Sequence, residues 1–254
     1  MLIDTHCHIN FPDKFPNPSE TVEIAKRAGV GKLITVGCDP ESSRQAIAVA
    51  EQFADVYAVV GWHPTYTKDY TTESLDEIEE MLSHPKVVAI GEIGLDFHWD
   101  YATPEQQRVA LFDQLDLAVR TQMPVVFHCR EAYPQLLDIL EKRPPHPYLF
   151  HCFAGDATDA KRSLDLGCMI GVDGPITYKN SNTLREVIGQ IPHDRLVIET
   201  DSPYMPPVPF RGQPNQPAYV KYVNDGLATV LGITAEECAD LTTQNALRFF
   251  RIDG

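Results

Sequence analysis

Leu2-Ile3-Asp4-Thr5-His6-Cys7-His8 is the stretch on which the fold turns: a short apolar run ending in two histidines one residue apart. Side chains in a strand alternate between faces, so His6 and His8 point one way and Cys7 the other. Two imidazoles on one face can chelate a single divalent ion. A surface strand with solvated histidines fits the same seven residues. The two readings separate on whether ligand-type residues recur at later strand ends.

Working outward, short runs rich in Val, Ile, Leu and Phe alternate with amphipathic segments along the whole chain. The strand-like runs lie at about 2–6, 33–37, 56–61, 87–92, 124–128, 148–152, 168–172 and 195–200. Helical patterns fall between them, at 20–28, 41–53, 74–82, 104–121, 132–141, 156–166 and 182–191. Strands each followed by a helix predict a parallel sheet. With 254 residues, close to the ~250 typical of a (β/α)8 barrel, the chain is read as α/β, a single TIM-barrel domain over 1–254. Its chemistry is expected at the C-terminal ends of the strands. A last helical pair, 218–231 and 234–250, is expected to cover strand eight and the outside of the barrel. The segment Ser202–Pro217 carries six prolines. Because it directly follows strand eight, where barrels often bind phosphate, it reads as a rigid active-site loop rather than a linker.

Composition narrows the classes. A hydrophobic fraction of 43% with 22% charged residues fits a globular protein with a sizeable core. No apolar run approaches the ~20 residues of a membrane span, and the first residues lack a signal-peptide pattern. Six scattered cysteines then read as reduced thiols in a cytoplasmic protein. A net charge of −15 argues against a protein that coats nucleic acid through a basic surface. It leaves room for a nuclease whose positive charge sits in bound metals and a few arginines. Nothing in the sequence calls for an obligate protein partner.

Mapped on this frame, His6 and His8 end strand one, and His63 follows strand three. Glu92 ends strand four, His128 strand five, His151 strand six and Asp201 strand eight. Four imidazoles and two carboxylates exceed the needs of one four-coordinate ion. Two divalent ions are expected, with Glu92 bridging: His6, His8, Glu92 and Asp201 around one, Glu92, His128 and His151 around the other. Ions about 3.5–4 Å apart can share a hydroxide and clamp the attacking and leaving oxygens, with Asp201 as general base. His63 reads as a proton-donating or substrate-contacting residue. Arg211, Arg130 and Asn215 read as substrate contacts, the arginines as phosphate grips. Asp4 and Glu199 share the inward face one layer deeper, as supports of the ligands, whereas Asp96 and His98 receive no role. Trp62, Tyr204 and Phe210 are candidates for stacking on bases. Cys7, Cys129 and Cys152 neighbour ligands in sequence and are expected to turn outward into the core. A nitrogen-rich site with carboxylates favours zinc or manganese over magnesium.

The stretches around these residues are Ile3–His8, Gly61-Trp62-His63-Pro64, Gly91–Asp96, His128–Ala132, His151–Gly155 and Glu199–Tyr204, together with the Pro209–Pro217 loop. Taken in order, they resemble the TatD-family metal-dependent deoxyribonucleases, within the wider amidohydrolase-like barrels, from residue 2 to about 250. The resemblance implies a divalent-metal site on the residues above and hydrolysis of DNA phosphodiesters, as an exonuclease using a metal-bound hydroxide. It also implies that magnesium can support activity. Two positions depart from the family pattern, Ala154 for serine and Cys129-Arg130-Glu131 for Ser-Arg-Asp, and neither removes a ligand. Two rival readings keep the same ligands. One is hydrolysis of an amide, lactone or aminoacyl ester, including D-aminoacyl-tRNA; the other is a non-catalytic metal-binding protein.

Overall fold

The computed structural model describes residues 1–254. Eight parallel strands run in the order β1 to β8: Leu2–Cys7, Val30–Val36, Val56–Val60, Val87–Asp96, Val125–Arg130, Tyr148–Phe150, Met169–Val172 and Leu196–Ile198. Seven helices connect them: α1 Pro18–Arg27, α2 Pro40–Ala50, α3 Thr72–Met81, α4 Pro104–Thr121, α5 Tyr133–Leu140, α6 Ala157–Asp165 and α7 Asn182–Ile188. Two more, α8 Val220–Leu231 and α9 Ala235–Phe250, follow β8. This is the expected (β/α)8 barrel.

Local sequence explains the helix starts. Asp39, Thr71, Thr103, Asp156 and Thr234 each cap a helix, accepting from a backbone N–H of the first turn while the third helical residue bonds back. Apolar side chains then sort into two layers. One packs between strands and helices and includes Leu33, Val60, Leu111, Phe127 and Phe150. The other fills the barrel interior, with Ile34, Val59, Val126, Leu149 and Val197. The final helix does more than cover the outside. Phe249 and Phe250 of α9 belong to the interior layer, and Arg248 and Arg251 bond the carbonyls of Asp194 and Gln122, which precede β8 and β5. The helix end therefore plugs the barrel opposite the site. Truncating a buried phenylalanine of this kind to alanine costs about 3–5 kcal/mol.

The seam between β1 and β8 sets the site. It carries little ladder pairing, only the Cys7–Ser202 bridge, and is held by specific bonds instead. Thr5 Oγ1 donates to the Ile198 carbonyl at 3.0 Å, Asp201 N to His6 O at 2.8 Å and His8 N to Ser202 O at 2.8 Å. The buried Asp4 carboxylate accepts from Thr200 N and Thr200 Oγ1 at 2.9 and 2.6 Å. Closing this seam brings residues 193 positions apart, His8 and Asp201, to one side of one cavity.

Candidate metal centre

Glu92 is the hub. It lies inside β4, 3% exposed, and its two carboxylate oxygens face different groups. Oε2 is 3.3 Å from His6 Nε2. Oε1 is 2.7 Å from His151 Nε2, 2.8 Å from His128 Nδ1 and 3.5 Å from His63 Nε2. Asp201 Oδ1 completes the first side, 3.4 Å from His8 Nε2 and 3.9 Å from His6 Nε2. The sequence-predicted ligands thus come together around Glu92, with donor atoms grouped as His6, His8 and Glu92, as His6, His151 and Glu199, and as His63, Glu92 and His128. His63 joins the second side, next to His128 at 4.3 Å between ring centres.

The far side of each ring indicates which nitrogen is free. His8 Nδ1 lies 2.9 Å from the Val36 carbonyl, an acceptor, so the proton sits on Nδ1 and Nε2 presents its lone pair inward. His128 Nε2 lies 2.8 Å from Asp96 Oδ2, leaving Nδ1 for the cavity. His151 Nδ1 lies 3.4 Å from Glu199 Oε1, leaving Nε2. His63 has the opposite arrangement: its Nδ1 accepts from Thr65 N at 3.2 Å, so the neutral ring carries its proton on Nε2, toward Glu92. His6, fully buried, has no hydrogen-bond partner on either nitrogen.

These observations test whether divalent cations fit. Glu92, Asp96 and Glu199 are all 3% exposed or less, and Asp201 is only slightly accessible. None of them pairs with a lysine or arginine; their only charged partners are histidines. Burying carboxylates without a cation is costly, and a fully buried imidazole with two unpartnered nitrogens is costly too. A nitrogen and oxygen donor set supplied with divalent cations removes both penalties. The residues present fit such a site.

Electrostatics follow the same lines. Burial pushes the Glu92 carboxyl up, but His151, His63 and His6 outweigh it and hold it well below the usual range. Burial likewise opposes ionisation of Asp201, and the His8, His151 and His6 rings beside it hold it below its ordinary value. Burial and the neighbouring His128 lower His63, so that it stays neutral. Cys152 and Asp201, just beyond β6 and β8, adopt left-handed backbone at φ 44° and 52°, a conformation that gathers at functional sites.

Several placements differ from the sequence reading. Asp96 has a clear place: β4 runs four residues past Glu92, so alternation puts Asp96 on the same face, behind His128. Gly94 permits this path, with φ +146° and no space for a Cβ beside the His128 carbonyl. The even spacing from Glu92 was the available signal. Glu199 supports His151 rather than Asp201, and it also accepts from Cys152 N. Cys7 and Cys129 do pack in the outer layer. Cys152 does not, because β6 ends at Phe150 and the alternation stops there; its Sγ donates to Asp173 Oδ2 at 3.1 Å. Asn215 is 1% exposed, and its amide donates to the carbonyls of Thr200 and Tyr204 at 2.7 and 2.6 Å. It holds the proline-rich loop instead of facing the cavity. Trp62 is buried, and Phe210 stacks on Tyr219 at 3.9 Å. Tyr204 is half exposed near His8. Arg211 lies over the Tyr178 ring at 4.0 Å and Arg130 over Trp99 at 5.7 Å, both without an ion-pair partner.

A parallel barrel with imidazoles and carboxylates gathered at its strand ends defines a metal-dependent hydrolase. The chain belongs to the TatD family: the profile described as TatD related DNase matches residues 3–251. It is 40% identical to the metal-dependent hydrolase YabD of Bacillus subtilis, over 100% of both chains. It is 34% identical to the 3'-5' ssDNA/RNA exonuclease TatD of Erwinia tasmaniensis, covering 92% of this chain and 93% of that one. Among solved structures it resembles YjjV, a TatD homologue from Escherichia coli, with a TM-score of 0.93 and 36% identity over 99% and 98% of the two chains. The reaction class is hydrolysis at an ester bond. No helix is long and apolar enough to cross a membrane.

Proposed function

We propose that this protein is a two-metal nuclease that hydrolyses phosphodiester bonds of DNA from a strand end. The observation that carries the reading is the split of Glu92, one carboxylate oxygen serving His6 and the other serving His128 and His151. A carboxylate shared in this way suits a pair of ions. His6, His8, Glu92 and Asp201 would hold one, and Glu92, His128 and His151 the other. Divalent ions bound there supply Lewis acidity, polarising the scissile phosphate and lowering the pKa of water.

The chain's own groups supply the rest. Asp201, held ionised and slightly accessible, would take the proton of an attacking water on its carboxylate. His63 holds a proton at Nε2 and is the donor for the leaving oxygen. Arg211 and Arg130, without carboxylate partners, are free to pair with phosphate oxygens. The name carried by the Erwinia relative, a 3'-5' exonuclease on single-stranded DNA and RNA, supports an end-directed activity on nucleic acid.

The test strips the protein with a chelator, restores zinc, manganese or magnesium singly, and assays end-labelled single- and double-stranded DNA beside Asp201→Asn. Metal-dependent cleavage that is absent from the variant establishes the reading, and the product ladder shows the direction. No cleavage with any ion, by protein shown to bind metal, overturns it and points to amide, lactone or aminoacyl-ester substrates.

A further inference from the structure

We propose that the loop after β4 carries a base-stacking subsite for single-stranded nucleic acid, built from Trp99 and Tyr101 with Arg130 beside them. The inference rests on the nucleolytic reading above and adds where the chain beyond the cleaved bond is held.

Trp99 is 44% exposed and Tyr101 60% exposed. Large aromatic rings normally lose water on folding, so an exposed pair calls for an explanation. Their rings are nearly parallel, 11° apart, with centroids at 5.5 Å. The Arg130 guanidinium lies 5.7 Å from the Trp99 ring. His98 stands edge-on to Trp99 at 4.8 Å, its own ring held by Glu131 at 2.6 Å.

The platform is rooted in the metal centre. Asp96 Oδ1 accepts the backbone N–H groups of His98 and Trp99 at 2.9 and 3.0 Å, while Oδ2 of the same carboxylate faces His128 at 2.8 Å. Phe97 N donates to the Arg130 carbonyl, tying the loop to the end of β5. One side chain therefore sets both the orientation of a candidate ligand and the base of the aromatic loop.

A flat aromatic face suits a nucleobase, because every base offers a π-face whatever its sequence. The neighbouring arginine adds a cation for the ring or for a passing phosphate. Both need unpaired bases; in a duplex interior the faces are covered by neighbouring pairs. A chain with a net charge of −15 gains from such a subsite, since stacking does not depend on a basic surface. The expected substrate is a frayed or single-stranded end, with stacking tolerant of sequence.

Intrinsic fluorescence reads this directly. The chain has two tryptophans, and Trp62 is only 8% exposed, so Trp99 dominates any change caused by a ligand at the surface. Metal-loaded protein titrated with a phosphorothioate dT oligomer should show saturable quenching, lost in Trp99→Phe, while a blunt hairpin duplex should give little. In kinetics, Trp99→Ala and Tyr101→Ala should each lower kcat/KM for a dT oligomer, relative to that for bis(4-nitrophenyl) phosphate, on the order of tenfold. Trp99→Phe should keep most of the ratio, which separates lost stacking from a disturbed loop; metal content and far-UV dichroism check folding. Quenching by the oligomer with no cleavage under any ion would remove the nuclease reading and leave the subsite standing. Cleavage with neither quenching nor a changed ratio would remove the subsite, as would equal quenching by the blunt duplex; the exposed rings would then be assigned to a protein contact.

Discussion

His128 Nε2 and Asp96 Oδ2 lie 2.8 Å apart, while the other nitrogen of the same ring is 2.8 Å from Glu92. Asp96 thereby fixes both the tautomer and the plane of a candidate ligand. Asp96→Asn removes the charge and keeps the shape. Metal affinity should fall about 10–100-fold, measured by competition with a chromogenic chelator. Unchanged affinity would show that Asp96 does not orient His128.

His63 differs from the other rings in that its Nδ1 accepts from Thr65 N, so that its neutral form turns an N–H toward Glu92. His63→Ala should keep metal stoichiometry and lower kcat by roughly 10²–10⁴, and added imidazole should restore part of it. Loss of a metal equivalent in the variant would make His63 a ligand instead.

Metal uptake should release protons. Burial opposes charge on His151, but attraction to Glu92 and Glu199 outweighs it and holds the ring well above its ordinary value. The metal-free ring is then an imidazolium at neutral pH, and binding must expel the proton. Affinity should rise with pH until the raised pKa is passed and level off above it. Calorimetric titrations at pH 7 in buffers of different ionisation enthalpy measure the release; heats that do not depend on buffer would contradict it.

Asp173 gives the fold its own pH dependence. Burial, then the charge of Glu199, pushes its carboxyl up to about 8, against ~3.9 for an unfolded chain. Between these values the folded state holds a proton that the unfolded state has lost. This contribution is therefore complete at low pH and is lost progressively as pH rises to about 8. Asp173→Asn should raise the Tm of metal-free protein on the order of 5 °C more at pH 9 than at pH 5. An equal shift at both pH values would mean that Asp173 is ionised throughout.

Arg211 stacks on Tyr178 and has no carboxylate partner. Arg211→Ala should raise KM for DNA several-fold and flatten its salt dependence by about one phosphate contact. Arg211→Lys should recover the charge without the stacking or the bidentate fork. An unchanged KM in the alanine variant would remove the loop as a phosphate grip.

Legibility in the sequence followed the range of the interactions involved. The strand and helix pattern was readable because period-2 and period-3.6 burial is local. The residues of the candidate metal centre were readable because each lies in the C-terminal part of a strand or just beyond it, and these ends meet on one rim of a barrel. Asp96 was missed because the apolar run stops at Glu92 while the strand continues to Asp96. Cys152 was misplaced for the converse reason, since β6 is shorter than its apolar run.

By itself, the sequence determined the barrel and which residue types stand along its rim, because these follow from periodicity and from residue positions along each strand. Only the tertiary structure decided how the donors divide. Which Glu92 oxygen faces which histidine, which nitrogen each ring offers, and that Asn215 holds a loop while Arg211 and Arg130 stand unpaired all depend on contacts between residues far apart in sequence. Those contacts form when β8 closes against β1, and hydrogen bonds of well-defined length then select one orientation for each ring.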